Sequence, residues 1–220
     1  MPHHHTVTTE TAPVVPLADR PEACAMFHDL MAALSVSDQA RLVLADLWRQ
    51  PWRHYHGAGH AGLLWQRHLA YGGARTDAVA AHAIAYHDAI YVVGARDNEA
   101  RSAELWRDHA AALPATLRDA VDGAIMATAN HAAPHPDPDA QWLVDLDLTP
   151  LGEPWEMFTA NSHALAQESG LTDDRMPPGQ RFFLSRLLAM PALYRSRRSN
   201  GALAACFEAT ARRNLSRRLT

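Results

Sequence analysis

Apolar residues recur at helical spacing in nearly every stretch between the proline and glycine breakers of the chain. Pro21 is placed to open a first helix, since proline at the first position loses no helical hydrogen bond. Ser37 and Asp38 have the character of a cap for the second helix. Further helices are predicted from about 60 to 72, from 76 or 77 through 88, from 97 or 98 to 113, and over 114–131, 139–148, 154–170, 178–193 and 201–219.

Strand patterns are nearly missing from the sequence. The β-prone run 89–94 is short and stands alone, and no internal repeat or linker divides the chain. The pattern therefore predicts one all-α domain over 21–220, preceded by a flexible tail over 1–20.

Composition narrows the partners. The chain has 220 residues, and its 20 Lys and Arg residues are all arginine. Because the formal net charge is −4, the overall charge does not favour binding to nucleic acid. No apolar run reaches the roughly 18 residues of a membrane span. With only two cysteines, a disulfide framework is not expected, and we predict a cytoplasmic protein without nucleic-acid or membrane partners. The arginine-rich C-terminal segments leave homo-oligomer formation open.

The dipeptide His87-Asp88, between His60 upstream and Asp145 and Asp147 downstream, is the strongest chemical signal. Imidazole nitrogen and carboxylate oxygen together suit a divalent metal ion. Neighbouring helical side chains point about 100° apart, so both members of the doublet can serve one ion only near a helix end or a distortion. The apolar segment 78–86 leads directly into the doublet, as such a site requires.

Several segments resemble a bacterial branch of the HD-domain superfamily of metal-dependent phosphohydrolases. The resemblance extends from about Trp48 to the C-terminus. The matching segments are Arg53-His54-Tyr55-His56, Tyr86-His87-Asp88-Ala89-Ile90-Tyr91, Asn98-Glu99-Ala100-Arg101-Ser102-Ala103, Thr128-Ala129-Asn130-His131, Asp145-Leu146-Asp147-Leu148 and Ala211-Arg212-Arg213-Asn214-Leu215. The resemblance implies an all-α, HD-type helical bundle of about eight to ten helices.

The resemblance also implies the ligands of one divalent ion, which could be Mn, Mg, Fe, Co, Ni or Zn. They are His60, favoured over His56, then His87, Asp88 and Asp147. Asp145 is the alternative to Asp147, since two residues two positions apart on a helix cannot share a direction. The member not used would be a partner of a ligating histidine.

Further residues are candidates for substrate contact. Arg53 and His56 would face an anion near the metal, with Arg53 also neutralising charge during reaction, and Arg101 would add a substrate contact. Glu99 is a candidate general base, and His131 a catalytic contact to the phosphoryl group. Each has a structural alternative, such as a surface arginine, a capping histidine or a glutamate favoured by the helix dipole.

The expected function is metal-assisted hydrolysis of a small phosphate ester or anhydride, such as a nucleotide. One alternative is a non-catalytic HD module that binds a nucleotide or a protein. Another is an HD-type di-iron oxygenase, which needs two additional histidines, and His109, His131 and His135 lie in the relevant interval.

Overall fold

The computed structural model describes residues 14–16, 19–171, 175–177 and 179–220, and it contains ten α-helices with no strand in these ranges. The α-helices are α1 (Pro21–Ala33), α2 (Asp38–Trp48), α3 (Ala58–Ala70), α4 (Ala78–Tyr86), α5 (Asn98–His109), α6 (Ala115–Ala127), α7 (Pro138–Leu148), α8 (Trp155–Glu168), α9 (Gln180–Leu188) and α10 (Ala209–Leu219). Short 3₁₀ turns follow α6 and α7, and a π-helical turn, Ala204–Glu208, leads into α10. The all-α prediction is confirmed.

Helix starts follow the capping residues of the sequence. The Ser37 hydroxyl accepts a hydrogen bond from the Ala40 amide, and the Asp77 carboxylate accepts one from the Ala80 amide. Each cap satisfies an amide that has no partner within the helix. Three predicted helices end clearly earlier than expected. In the range 178–193 the helix is α9 alone, the helix predicted to reach 113 ends at His109, and 114–131 ends in the 3₁₀ turn Thr128–Asn130.

Large aromatic side chains fill the centre of the bundle. The indoles of Trp48, Trp65, Trp106 and Trp142 are completely buried within one apolar cluster. Trp48 also ties α2 to the end of α4, because its indole N–H donates to the Ala85 carbonyl over 2.8 Å. The turn that follows α4 is thereby held over the core.

The predicted tail lies largely outside the described residues, which omit 1–13, 17 and 18. Val14 and Val15, which are described, are exposed. Among the described residues, no helix has the length and apolar character needed to cross a lipid bilayer.

Gly62 lets α1 and α3 approach closely, and it generates a test of the packing. A Cβ at Gly62 would overlap the Ala23 carbonyl, whereas a Cβ at Gly123 on α6 would meet nothing within 4 Å. Gly62→Ala should therefore lower the free energy of unfolding by about 1–3 kcal/mol. Gly123→Ala should raise it by about 0.5–1 kcal/mol through helix propensity. Chemical denaturation of both variants measures this, and equal effects would contradict the proposed close contact.

Candidate metal centre and its cavity

The His87-Asp88 doublet lies just beyond the last residue of α4. The His87 amide still bonds to the Ala83 carbonyl at 3.0 Å, but the helix ends there. His87 Nδ1 donates to the Ile84 carbonyl at 3.0 Å, which leaves Nε2 as the inward-facing nitrogen. Asp88 Oδ2 lies 3.2 Å from that nitrogen. The expectation that the two side chains converge at a helix end is confirmed.

His60 approaches the doublet from the first turn of α3. Its amide donates to the Gly57 carbonyl at 2.9 Å, and the ring is buried between the aromatic rings of Tyr55 and Trp48. His60 Nε2 lies 3.3 Å from His87 Nε2 and 3.9 Å from Asp88 Oδ2. His60 Nδ1 is buried and has no hydrogen-bond partner among the described residues, so Nε2 makes the polar contacts of the ring.

Asp147, and not Asp145, faces these histidines from α7. Asp147 Oδ1 lies 3.0 Å from His60 Nε2 and 3.8 Å from His87 Nε2. The Asp145 carboxylate accepts hydrogen bonds from the Gln141 side chain at 2.7 Å and the Ser196 amide at 2.6 Å. Asp145 therefore fastens the C-terminal segment to α7, as expected for helical residues about 200° apart.

The donor separations suit a single metal ion. With bonds of about 2.1 Å, octahedral ligands are about 3.0 Å apart when adjacent and about 4.2 Å apart when opposite. The measured separations that join a His60 or His87 nitrogen to another donor range from 3.0 to 3.9 Å. His60, His87 and Asp88 each offer an atom within 4.8 Å of the others. Asp147 lies next to both histidines but is not part of this group of three.

When no cation is bound, a proton on His87 balances part of the negative charge of the carboxylates in the cluster. Burial alone would lower the pKa of His87, but the Asp88 carboxylate overrides it and raises the pKa to about 9. Burial would raise the pKa of Asp147, but hydrogen bonds from His131 and His60 hold it well below its usual range. Burial lowers the pKa of His60. At neutral pH the cluster therefore holds ionised carboxylates and a protonated His87.

A second buried pair, His56 and Glu168, lies beside the cluster. Glu168, at the end of α8, accepts hydrogen bonds of 2.7 Å from the amides of Tyr55 and His56 and from His56 Nδ1. His56 Nε2 lies 4.0 Å from Asp88 Oδ2, and its ring stacks on Tyr91 with centroids 4.2 Å apart. Burial alone would lower the pKa of His56, but Glu168 reverses this and the pKa is raised. The pairing with Glu168 therefore favours the imidazolium form of His56.

Arg53 occupies a different place from the one its predicted role requires. Its guanidinium is buried and donates to the carbonyls of Asp88 at 2.7 Å, Ala89 at 2.8 Å and His56 at 3.1 Å. Its Nε–H donates to the Gln50 side chain. These bonds occupy four of its five N–H donors. Arg53 therefore stabilises the turn formed by His87, Asp88 and Ala89, called the HD turn below, instead of facing a bound anion.

Glu99 and Arg101, on α5, are not joined to the cluster. Asn98, next to Glu99, bonds both polar backbone groups of Val92 and so fixes the loop after the HD turn. Arg101 is exposed. In the ranges that the structure describes, no hydrogen bond or ion pair links Glu99 or Arg101 to a cluster residue, so the geometry provides no support for their predicted roles.

His131 is the candidate catalytic residue that contacts the cluster directly. Its Nε2 lies 2.6 Å from Asp147 Oδ2, so Asp147 is held between His131 and His60. The other two histidines of the same interval have other partners. His109 bonds the Tyr86 hydroxyl at 2.9 Å, and His135 Nε2 bonds the Asn130 carbonyl at 3.2 Å. A second pair of imidazole ligands is thus not assembled from this interval.

A cavity of about 550 Å³ opens beside the cluster. Asp147, His131 and His56 line its inner end, and residues of α8 and α9 form much of its wall. A cavity of this size accommodates a small molecule. The cluster therefore has access to a ligand through Asp147 and the two flanking histidines.

Comparisons with family models, with curated proteins and with solved structures found no match for this chain. The chemistry of the site follows from its own donors, distances and charges.

Sequence reasoning missed Glu168, although His56, its partner, was a candidate. The two residues are 112 positions apart, and Glu168 lies at the end of an ordinary amphipathic helix. No local pattern distinguishes it from a solvent-exposed glutamate, so only the tertiary fold reveals its role.

The His56–Glu168 pair predicts a pH-dependent stability. The raised pKa of His56 stabilises the fold below about pH 6.5 and is lost as the pH rises through the folded-state value. The lowered pKa of Glu168 stabilises it above about pH 4.5 and is lost on acidification. Glu168→Gln should therefore lower the free energy of unfolding most between these values, by about 1–3 kcal/mol.

The matched control is Glu156→Gln, which removes an exposed carboxylate from the same helix. Denaturation of metal-free protein at several pH values measures the stability, and nuclear magnetic resonance titration follows His56. An unchanged His56 pKa in Glu168→Gln would contradict the pairing.

Proposed function

We propose that this chain is a metal-dependent phosphohydrolase of the HD type, acting on a small phosphate ester or anhydride. The observation that carries the proposal is the convergence of His60, His87, Asp88 and Asp147 beside a ligand-sized cavity, which Asp147 lines. The motif resemblance in the sequence agrees with this arrangement.

The four converging side chains would hold the metal. His87 Nε2 is available because Nδ1 already donates to a backbone carbonyl, an arrangement common in metal-binding histidines. Bound there, a divalent cation would lower the pKa of a coordinated water and polarise a phosphoryl oxygen. The charges also fit, since the cation would replace the proton on His87 between two partly buried carboxylates.

His56 supplies positive charge and a proton at the cavity. Glu168 fixes its Nδ1–H, so Nε2–H is the proton that can reach an oxygen of the substrate. It would neutralise the phosphoryl group or protonate the leaving oxygen. His131 holds Asp147 by Oδ2, which directs Oδ1 toward His60 and His87. Arg53 and Glu168 act indirectly, by positioning the HD turn and His56.

Metal analysis and phosphate release test the proposal together. Purified protein should bind about one divalent ion per chain and release phosphate from esters or nucleotides when supplied with Mn, Mg, Fe, Co, Ni or Zn. His87→Ala/Asp88→Ala should lose the ion and lower kcat at least about 10³-fold, because two of the ligands are gone. Asp108→Ala/His109→Ala, a neighbouring acidic–histidine pair outside the cluster, should keep both properties.

The outcomes separate the alternatives. Bound ion and phosphate release in the wild type alone support the hydrolase. Two irons with oxygen consumption and no phosphate release would replace it with an oxygenase. Nucleotide or protein binding that needs no metal, without turnover, would replace it with a binding module.

Metal affinity should depend on pH through His87. The pKa of His87 is about 9 in the metal-free protein, so metal binding displaces one proton at neutral pH. Below pH 9, the apparent Kd for the metal should therefore fall about tenfold for each unit by which the pH rises. Titration calorimetry in two buffers of different ionisation enthalpy counts the released proton. An affinity that is the same at pH 6 and pH 8 would contradict the charge state assigned to His87.

A further inference from the structure

The wall of the cavity is mainly apolar away from the metal cluster. The side chains that form this part come from the end of α7, the turn after it, α8 and α9, and include Leu148, Leu151, Phe158, Leu165, Phe183 and Leu184. Val93 and Gly94 add to the opening from the loop after the HD turn. A ligand that reaches the cluster must place its other end against this surface.

The cavity offers cationic side chains only at the cluster. Among its described lining residues there is no arginine, and the sequence has no lysine. Arg53 is occupied by backbone carbonyls, and Arg195, which donates to the His131 carbonyl at 2.8 Å, does not line the cavity. A second or third phosphate would therefore lie on apolar wall or beside carboxylates, which is costly without a counter-charge.

The serine hydroxyl groups of the wall donate to the protein's own backbone. Ser162 Oγ donates to the Phe158 carbonyl at 2.8 Å, and Ser169 Oγ donates to the Leu165 carbonyl at 3.1 Å. Apart from the histidines and Asp147, the other polar side chains of the wall are the amides of Asn161 and Gln180 and the hydroxyls of Tyr55 and Tyr91. A sugar with several hydroxyl groups would lose more hydrogen bonds to water than these few groups replace.

We propose that the substrate is the phosphomonoester of an apolar alcohol, aromatic or branched, and not a nucleotide. This inference depends on the proposed hydrolase function. Water attacks phosphorus, the P–O bond to the alcohol breaks, and the water's protons pass to the products, which are the free alcohol and inorganic phosphate. The single phosphoryl group lies at the cluster, and the carbon skeleton packs against the wall formed by α8 and α9.

Matched substrates test the preference. 2-Phenylethyl phosphate, ribose 5-phosphate and AMP all carry one phosphate on a primary alcohol, so their leaving groups are similar and their bodies differ. With the metal-loaded protein, kcat/KM for 2-phenylethyl phosphate should exceed the other two by at least about tenfold, the discrimination expected of apolar burial.

Paired surface variants locate the contact. Val93→Ser/Phe183→Ser alters two exposed residues that line the cavity, and Val92→Ser/Phe182→Ser alters their exposed neighbours, which do not line it. The first should lower kcat/KM for 2-phenylethyl phosphate about tenfold while changing ribose 5-phosphate less than about twofold. The second should leave both substrates unchanged.

Binding of a neutral product analogue gives a readout without catalysis. Metal-free protein is titrated with the fluorescent alcohol 2-(1-naphthyl)ethanol, and the Kd should rise about tenfold in Val93→Ser/Phe183→Ser but not in Val92→Ser/Phe182→Ser.

The results distinguish the two proposals. Variant-sensitive binding of the alcohol without phosphate release from any ester would contradict the hydrolase and support an apolar ligand. Turnover of AMP or ribose 5-phosphate at a kcat/KM equal to that of 2-phenylethyl phosphate would overturn the apolar-substrate inference and leave the hydrolase in place. A failure of 2-(1-naphthyl)ethanol to bind the wild type would also overturn the inference.

Discussion

Two partly buried carboxylates set the main electrostatic constraint on this fold. Asp88 and Asp147 keep only 14% and 13% of their side chains exposed, and an ionised carboxylate in such surroundings needs a cationic or hydrogen-bonding partner. The protonated His87 provides this charge in the metal-free protein, with contributions from His131 and His56. The packing of the helices that meet here therefore depends on a cationic partner for these carboxylates. In the proposed metal-bound protein a divalent cation would replace the proton of His87 in this role, so metal binding would also affect the stability of the fold.

Rigidity around the cluster comes from bonds that span the sequence. The Arg53 guanidinium donates to the carbonyls of Asp88 and Ala89, just after α4, and to that of His56, while Glu168 accepts from two amides and an imidazole of the segment before α3. Asp145 does the same for the C-terminal segment through the Ser196 amide. Charged groups that bind backbone in this way hold donor atoms in place before any ligand arrives, which lowers the cost of binding.

The sequence predicted those parts of the site that depend on local geometry. The helix end at His87-Asp88 followed from the 100° rotation per residue, and the same rotation separated Asp145 from Asp147 once the fold oriented α7. The helix starts at Ser37 and Asp77 could be predicted for the same reason, because capping depends on residues close in sequence. Glu168 and the true partners of Arg53 were not, because their contacts join segments 112 and about 35 residues apart, and periodicity carries no information on such pairings.

The cavity has polar side chains at the cluster and apolar side chains elsewhere, and this arrangement bears on substrate specificity. His56, His131 and Asp147 line one part of the cavity, where Glu168 raises the pKa of His56, and the rest of the wall presents Phe158, Leu165 and other apolar side chains. In the proposed complex the phosphoryl group lies at the cluster, while the rest of the wall can contribute binding energy only through apolar surface. Because binding energy from the non-reacting part of a substrate can be used to orient the reacting group, such a wall would favour turnover of apolar esters as well as their binding.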